Sequence, residues 1–167
     1  VGSEMCIRDR SRTGRIRTDQ RLVEQLRGQS RSYHSGIWQQ LESGVRNIAA
    51  TTDTVYVVTG AILQTAGNHE AITWITPKSD SKRCPVPNYY YKALLKVRRD
   101  ASNKVTSAIT IGFWMEHREY SNDSYTNYAT SVAEIERLTG FDFFANLPAD
   151  IQAAAEQNSN WNTFASF

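Results

Sequence analysis

With 167 residues, 40% of them hydrophobic and 11% aromatic, the chain is long enough to bury a core, and one domain is the default expectation. Charged residues make up 22%, which excludes global disorder, and no run approaches the ~18 apolar residues of a membrane-crossing helix. The net charge of +2 splits into 8 − 4 = +4 over residues 1–31 and 11 − 13 = −2 over residues 32–167, so bulk basicity gives no support to a nucleic-acid partner.

Residues 1–33 differ from the rest. VGSEMCIRDR at the start reads as translated sequencing-adapter read-through and has no apolar stretch that would make it a signal peptide. SRTGRIRTDQRLVEQLRGQSRSY, which follows, is Arg-rich and Lys-free. It fits a basic arm that tracks phosphates, a short amphipathic helix around Leu22, Val23 and Leu26, or an out-of-frame translation. The abrupt change at His34 favours the last, with the leader over 1–33 and the domain over 34–167.

From residue 34 the pattern is regular. Ser35 and Gly36 open a helix running to about Ala50, with Ile37, Leu41, Val45 and Ile48 on one stripe. Gly44 inside it costs about 1 kcal/mol against Ala, so the helix needs tertiary packing. A strand begins at Asp53, runs through Val55 to Val58 and ends at Gly60. Ile72 and Trp74 share one face of a short strand over 71–76. The two prolines of SDSKRCPVP then stop regular structure.

Tyr89 to Val97 alternates as a strand, with Tyr90, Lys92, Leu94 and Lys96 on one face. A turn at Asp100–Asn103 leads to a partner strand in which Ile109, Ile111, Phe113 and Met115 alternate with Thr110, Gly112, Trp114 and Glu116. REYSNDSYTNY reads as a polar loop. Ser131 and Glu134 form a capping box for a helix that Gly140 stops, and Pro148 opens another over 149–157. Trp161 and Phe164 dock the tail. The resulting fold class is α+β, an antiparallel sheet of three or four strands flanked by helices.

Two cysteines (Cys6 and Cys84) exclude a disulfide-dense scaffold and a four-cysteine zinc site. Three histidines (His34, His69 and His117) leave any metal to oxygen ligands or a single imidazole. No glycine-rich phosphate loop, nucleophile elbow, CxxC or HExxH is present. What remains is the first helix, with His34 at its entry and Trp38, Glu42 and Arg46 at i+4 steps along one edge. On spacing alone the favoured reading is bland: Glu42 and Arg46 as an exposed ion pair worth about 0.3–0.5 kcal/mol, and His34 as a cap.

The strings SGIWQQLESGVR, TDTVYVVTGAI, VPNYYYKALLKV and YATSVAEIERLTGFDFFANLP, in this order, resemble the DNA/RNA non-specific endonucleases of the ββα-metal (His-Me finger) class over residues 34–150. In that family an Asp-Arg-Gly-His strand carries the general base. The following helix begins Asn-x-Gly-x-Trp, its Asn being the direct protein ligand of a Mg²⁺ ion. Here His34-Ser35-Gly36-Ile37-Trp38 stands in that place, so Gly36 and Trp38 match and His34 holds the ligand position. The family's Glu falls on Glu42 and its Arg on Arg46. Asp-Arg-Gly-His occurs nowhere in the chain. These departures fit an N-terminally truncated sequence with a frame error, whose product is inactive for want of its general base.

The resemblance implies metal-dependent hydrolysis of phosphodiester bonds in DNA and RNA with Mg²⁺ or Mn²⁺. His34 would be a metal ligand, although imidazole suits Mn²⁺ better than Mg²⁺. Glu42 would hold metal-bound water, and Arg46 would orient Glu42 and approach the phosphate. Lys92 matches a position where the family carries a basic residue, with contact to the nucleic-acid backbone as its implied role; an exposed strand lysine is the favoured reading of the residue itself. Arg118 is a further candidate for the positive groove. Partners would be the DNA and RNA backbone, with no membrane; a homodimer and a secreted or periplasmic location follow from kinship. The alternative is a non-catalytic, nuclease-like binding module that uses Tyr120, Tyr125 and Tyr128 for recognition.

Overall fold

The computed structural model describes residues 36–52, 54–76, 83–121 and 123–167. The leader over 1–33, His34, Ser35 and the strand start expected at Asp53 lie outside the described residues.

Helix α1 (Ile37–Thr51) forms where the apolar stripe predicts it and buries Ile37, Trp38 and Leu41. Each such side chain contributes about 1.5–3 kcal/mol on leaving water. Strand β1 (Val55–Ile62) follows, then a two-stranded ribbon of β2 (Thr73–Ile75) and β3 (Cys84–Val86). Strands β4 (Tyr89–Arg99) and β5 (Val105–Glu116) form the long hairpin, and β6 (Ala129–Thr130) closes the other edge. The main sheet runs β1-β4-β5-β6, all antiparallel. Helices α2 (Val132–Thr139), α3 (Ala149–Ala155) and α4 (Trp161–Ser166) complete the chain. The α+β expectation holds, with four strands in the main sheet and four helices among the described residues.

Cross-strand register puts Lys92 opposite Thr59 on one side and Phe113 on the other, and Leu94 opposite Val57 and Ile111. One sheet face therefore carries Tyr90, Lys92, Leu94, Lys96, Ile109, Ile111, Phe113 and Met115. Its apolar members pack in one core with Ile37, Trp38 and Leu41 of α1 and Phe164 of α4. The opposite face presents Tyr91 and Ala93 to Val132 and Ile135 of α2 and to Phe143.

Three sequence expectations need correction. β1 does not end at Gly60 but continues to Ile62, because Gly60 pairs with Tyr91 and the tyrosine ring lies across the space a side chain would fill. The prolines of the 79–87 segment do not prevent regular structure: Cys84–Val86 pairs with Thr73–Ile75, with Pro85 opposite Trp74. A two-stranded ribbon consists of edges alone, so the N–H that proline lacks can face away from the partner. The segment expected as a polar loop ends in a 3-10 turn (Tyr125–Tyr128), and β6 follows it directly.

The caps behave largely as the sequence implies. Ser131 Oγ accepts from Glu134 N at 3.2 Å, but the Glu134 carboxylate pairs with Arg137 at 2.6 Å, so half of the reciprocal box forms. Gly140 adopts φ 73° and its N–H donates to Glu136 O at 2.7 Å. The tail docks as expected: Phe164 is fully buried, stacked 6.0 Å from Trp161.

Candidate active site

The residues singled out on α1 converge on the lysine of β4. Register and helix packing place Lys92 beneath α1, only 6% exposed, which overturns the reading of an exposed strand lysine. Its Nζ donates to Thr59 Oγ1 at 2.8 Å and lies 4.8 Å from the centre of the Trp38 ring. The aromatic face attracts the cation where water is excluded. Burial pulls the Lys92 ammonium down to about 8, partly offset by the carboxylate of Glu42 and reinforced by the charge of Arg46. Trp38, Glu42, Arg46, Thr59 and Lys92 thus form one electrostatic neighbourhood.

Glu42 is half-buried and Arg46 is exposed one turn further along α1. The Arg46 guanidinium donates to Ser43 Oγ at 3.3 Å. Among the described residues neither side-chain ion pair includes Glu42 or Arg46, so the exposed pair suggested by spacing is not formed. Arg46 is left at the surface, extended along α1 from the Glu42 turn, where it can meet an anion. His34 lies outside the described residues, three positions before Ile37 in the sequence.

The tyrosine candidates pack in or against the core, whereas Arg118 is exposed. Tyr120 is buried, its hydroxyl donates to Glu116 O at 3.0 Å, and its ring meets Tyr128 edge-on at 4.9 Å. Tyr125 fills the space above Gly44 and meets Phe113 and Trp161 at 5.9 and 5.4 Å. The Tyr128 hydroxyl donates to Asp123 Oδ2 at 2.6 Å. Arg118 lies over the Tyr120 ring and beside Glu116. His117 is held at Nδ1 against Pro87 O at 3.0 Å, and burial lowers its pKa.

A group missed by the sequence reading lies on the other side of the sheet, where Glu136, Asp142 and Glu156 bring carboxylate oxygens within 4.8 Å of one another. The three come from separate segments, and no spacing rule would have joined them.

The sequence profile of the DNA/RNA non-specific endonucleases matches residues 26–150, about three quarters of the chain. The chain belongs to this family. A comparison with curated proteins returns no match. Membership implies nucleic acid as the substrate class, and the family is metal-dependent. The match contains α1 with Glu42 and Arg46, and β4 with Lys92. It begins eight residues before the point where the sequence changes character. No helix among the described residues is long and apolar enough to cross a membrane.

For a metal at this endonuclease's α1 end, the described residues supply one carboxylate, Glu42, with a buried ammonium behind it. That donor set fits a hydrated hard cation held through its water shell, and it does not fit a cage of direct protein ligands.

Proposed function

We propose that this endonuclease hydrolyses phosphodiester bonds of DNA and RNA without reading sequence, using the α1 edge that carries Glu42 and Arg46 over Lys92. The observation that carries this reading is the convergence of Trp38, Glu42, Arg46 and Lys92, given family membership. Glu42 would hold a hydrated divalent ion, Mg²⁺ or Mn²⁺, through its bound water, and His34 would be the direct ligand implied by kinship. When bound, the metal provides charge stabilisation at the phosphate and at the leaving oxygen. Arg46 binds a non-bridging phosphate oxygen from the exposed side of the helix. Lys92 adds positive potential from beneath and fixes Glu42 by Coulomb attraction. Contacts of this kind engage the backbone, so sequence and sugar discrimination is weak.

The 167 residues contain no Asp-Arg-Gly-His, and hydrolysis by these residues alone is expected to be slow for want of a general base. The His-Me finger arrangement, a domain over 34–167, a homodimer and a secreted or periplasmic location are parts of the same proposal.

The test is plasmid nicking and RNA cleavage in Mg²⁺ and in Mn²⁺, by this chain and by the chain preceded by an Asp-Arg-Gly-His strand. Cleavage should rise at least 100-fold with that strand, as expected for a general base, and fall again with Glu42→Ala. Failure of both proteins to bind a divalent ion and to cut either polymer would sink the enzyme reading. The non-catalytic binding module would then lead, although Tyr120, Tyr125 and Tyr128 are engaged in packing and in internal hydrogen bonds.

A further inference from the structure

The Glu136, Asp142 and Glu156 cluster lies on the sheet face opposite Lys92 and has no place in the chemistry above. Glu136 sits in the last turn of α2, Asp142 in the turn that follows, and Glu156 at the C-cap of α3. Glu156 is only 6% exposed, and its Oε1 is buried with no hydrogen-bond partner among the described residues. Such an atom normally finds a donor or a cation, because leaving it bare is costly.

The neighbours do not relieve it. Glu136 Oε1 already accepts from Phe143 N at 2.7 Å, and Asp142 Oδ1 accepts from Gln152 Nε2 at 2.9 Å. Neither side-chain ion pair among the described residues includes any of the three. Burial raises the pKa of both Glu136 and Glu156; Asp142 pushes both the same way, while Gln152 acts in the opposite sense on Glu156. Three carboxyl groups therefore converge with no ion-pair partner among the described residues, and one of them, Glu156, also has a buried bare oxygen.

We propose that Glu136, Asp142 and Glu156 form a structural site for a divalent oxygen-seeking cation, Ca²⁺ in preference to Mg²⁺, with Glu156 Oε1 as its innermost ligand. Oxygens within 4.8 Å of one another can share a cation at Ca²⁺–oxygen distances of about 2.3–2.6 Å, since opposite ligands then lie up to ~5 Å apart. Ca²⁺ accepts irregular coordination, whereas Mg²⁺ demands a near-ideal octahedron and keeps most of its water. Asp142 is exposed and offers the entry path. The ion would join α2, the 141–144 turn and α3, which touch already through Ala133 N donating to Glu156 O at 3.2 Å.

The test is calorimetric titration of the chain with CaCl₂ and with MgCl₂, alongside thermal unfolding in chelator and in excess Ca²⁺. One Ca²⁺ per chain is expected, with Tm rising by about 3–6 °C at tenfold excess over Kd. Both effects should vanish in Glu156→Gln and in Asp142→Asn and persist in Glu42→Ala, which separates this site from the α1 edge. The exposed Asp142 gives a variant whose folding is not in question. Absence of Ca²⁺ heat would overturn the site, as would a Ca²⁺ response unchanged in both variants. So would a Glu156→Gln protein that gains stability in chelator while the parent ignores Ca²⁺, because the carboxyls then simply share protons.

Discussion

Lys92 Nζ lies 4.8 Å from the centre of the Trp38 ring, which ties the middle strand of the sheet to the first turn of α1 through a buried cation. Lys92 and Lys96 are four residues apart on one strand, both on the face that carries the core. Each has a separate set of partners: Thr59 and Trp38 for the first, the end of α4 for the second.

The Lys92 ammonium, pulled down to about 8 from its ordinary 10.5, makes stability pH-dependent. Between these values the unfolded chain holds a proton that the folded chain has released, so stability rises with pH across the window. At ~1.4 kcal/mol per pH unit the full effect is about 3 kcal/mol. Lys92→Met lacks the titrating group, so its stability advantage over the parent should be largest below pH 8 and shrink toward pH 9.5. Urea unfolding of both proteins at pH 7, 8 and 9.5 measures this; a constant difference would contradict it.

Lys96 is 2% exposed and its Nζ donates to Phe164 O at 2.8 Å and Ala165 O at 3.2 Å, with the Phe164 ring 4.9 Å away. It caps the last carbonyls of α4 from inside the protein. Lys96→Met should cost about 2–3 kcal/mol by leaving those carbonyls bare. Limited proteolysis should then cut after residue 158 faster than in the parent, with the rest of the chain protected.

Gly112 is where α2 meets the sheet. A Cβ there would lie 2.6 Å from Ile135 Cδ1, 3.0 Å from Ser131 O and 3.2 Å from Thr130 O. The isoleucine tip can turn away, but the two backbone oxygens cannot. Gly112→Ala is therefore expected to lose about 1–3 kcal/mol by overpacking. Ile135→Val in the same chain should recover only part of the loss, read from denaturant midpoints.

The caps of α2 predict smaller effects. Ser131→Ala removes the acceptor for Glu134 N and should cost about 1 kcal/mol. Gly140→Ala forces a side chain into φ 73° and should cost about 1–2 kcal/mol. The residues are nine positions apart at opposite ends of the helix, so the double variant should show nearly additive losses in Tm.

Local patterns made much of this fold legible. The stripe of Ile37 and Leu41, the alternation in β4 and β5, and the caps at Ser131 and Gly140 are set by nearest neighbours along the chain. Two-sided burial of β4 was harder to see, since Lys92 reads as an exposed lysine until its partners at Thr59 and on α1 are known. β1 continued past Gly60 because Tyr91, 31 residues later, uses the space. At the site, Glu42 and Arg46 were visible from helical spacing and family likeness. The burial of Lys92 and the meeting of Glu136, Asp142 and Glu156 depend on contacts between separate segments.

Phe164 has a consequence for synthesis. It is fully buried in the core that holds Ile37, Trp38 and Leu41. While the polypeptide is being made, the earlier part of that core waits for residue 164 to leave the ribosome, with a strip of β5 bare and the Lys96 ammonium uncapped. During that interval the nascent chain exposes apolar surface that the finished fold covers.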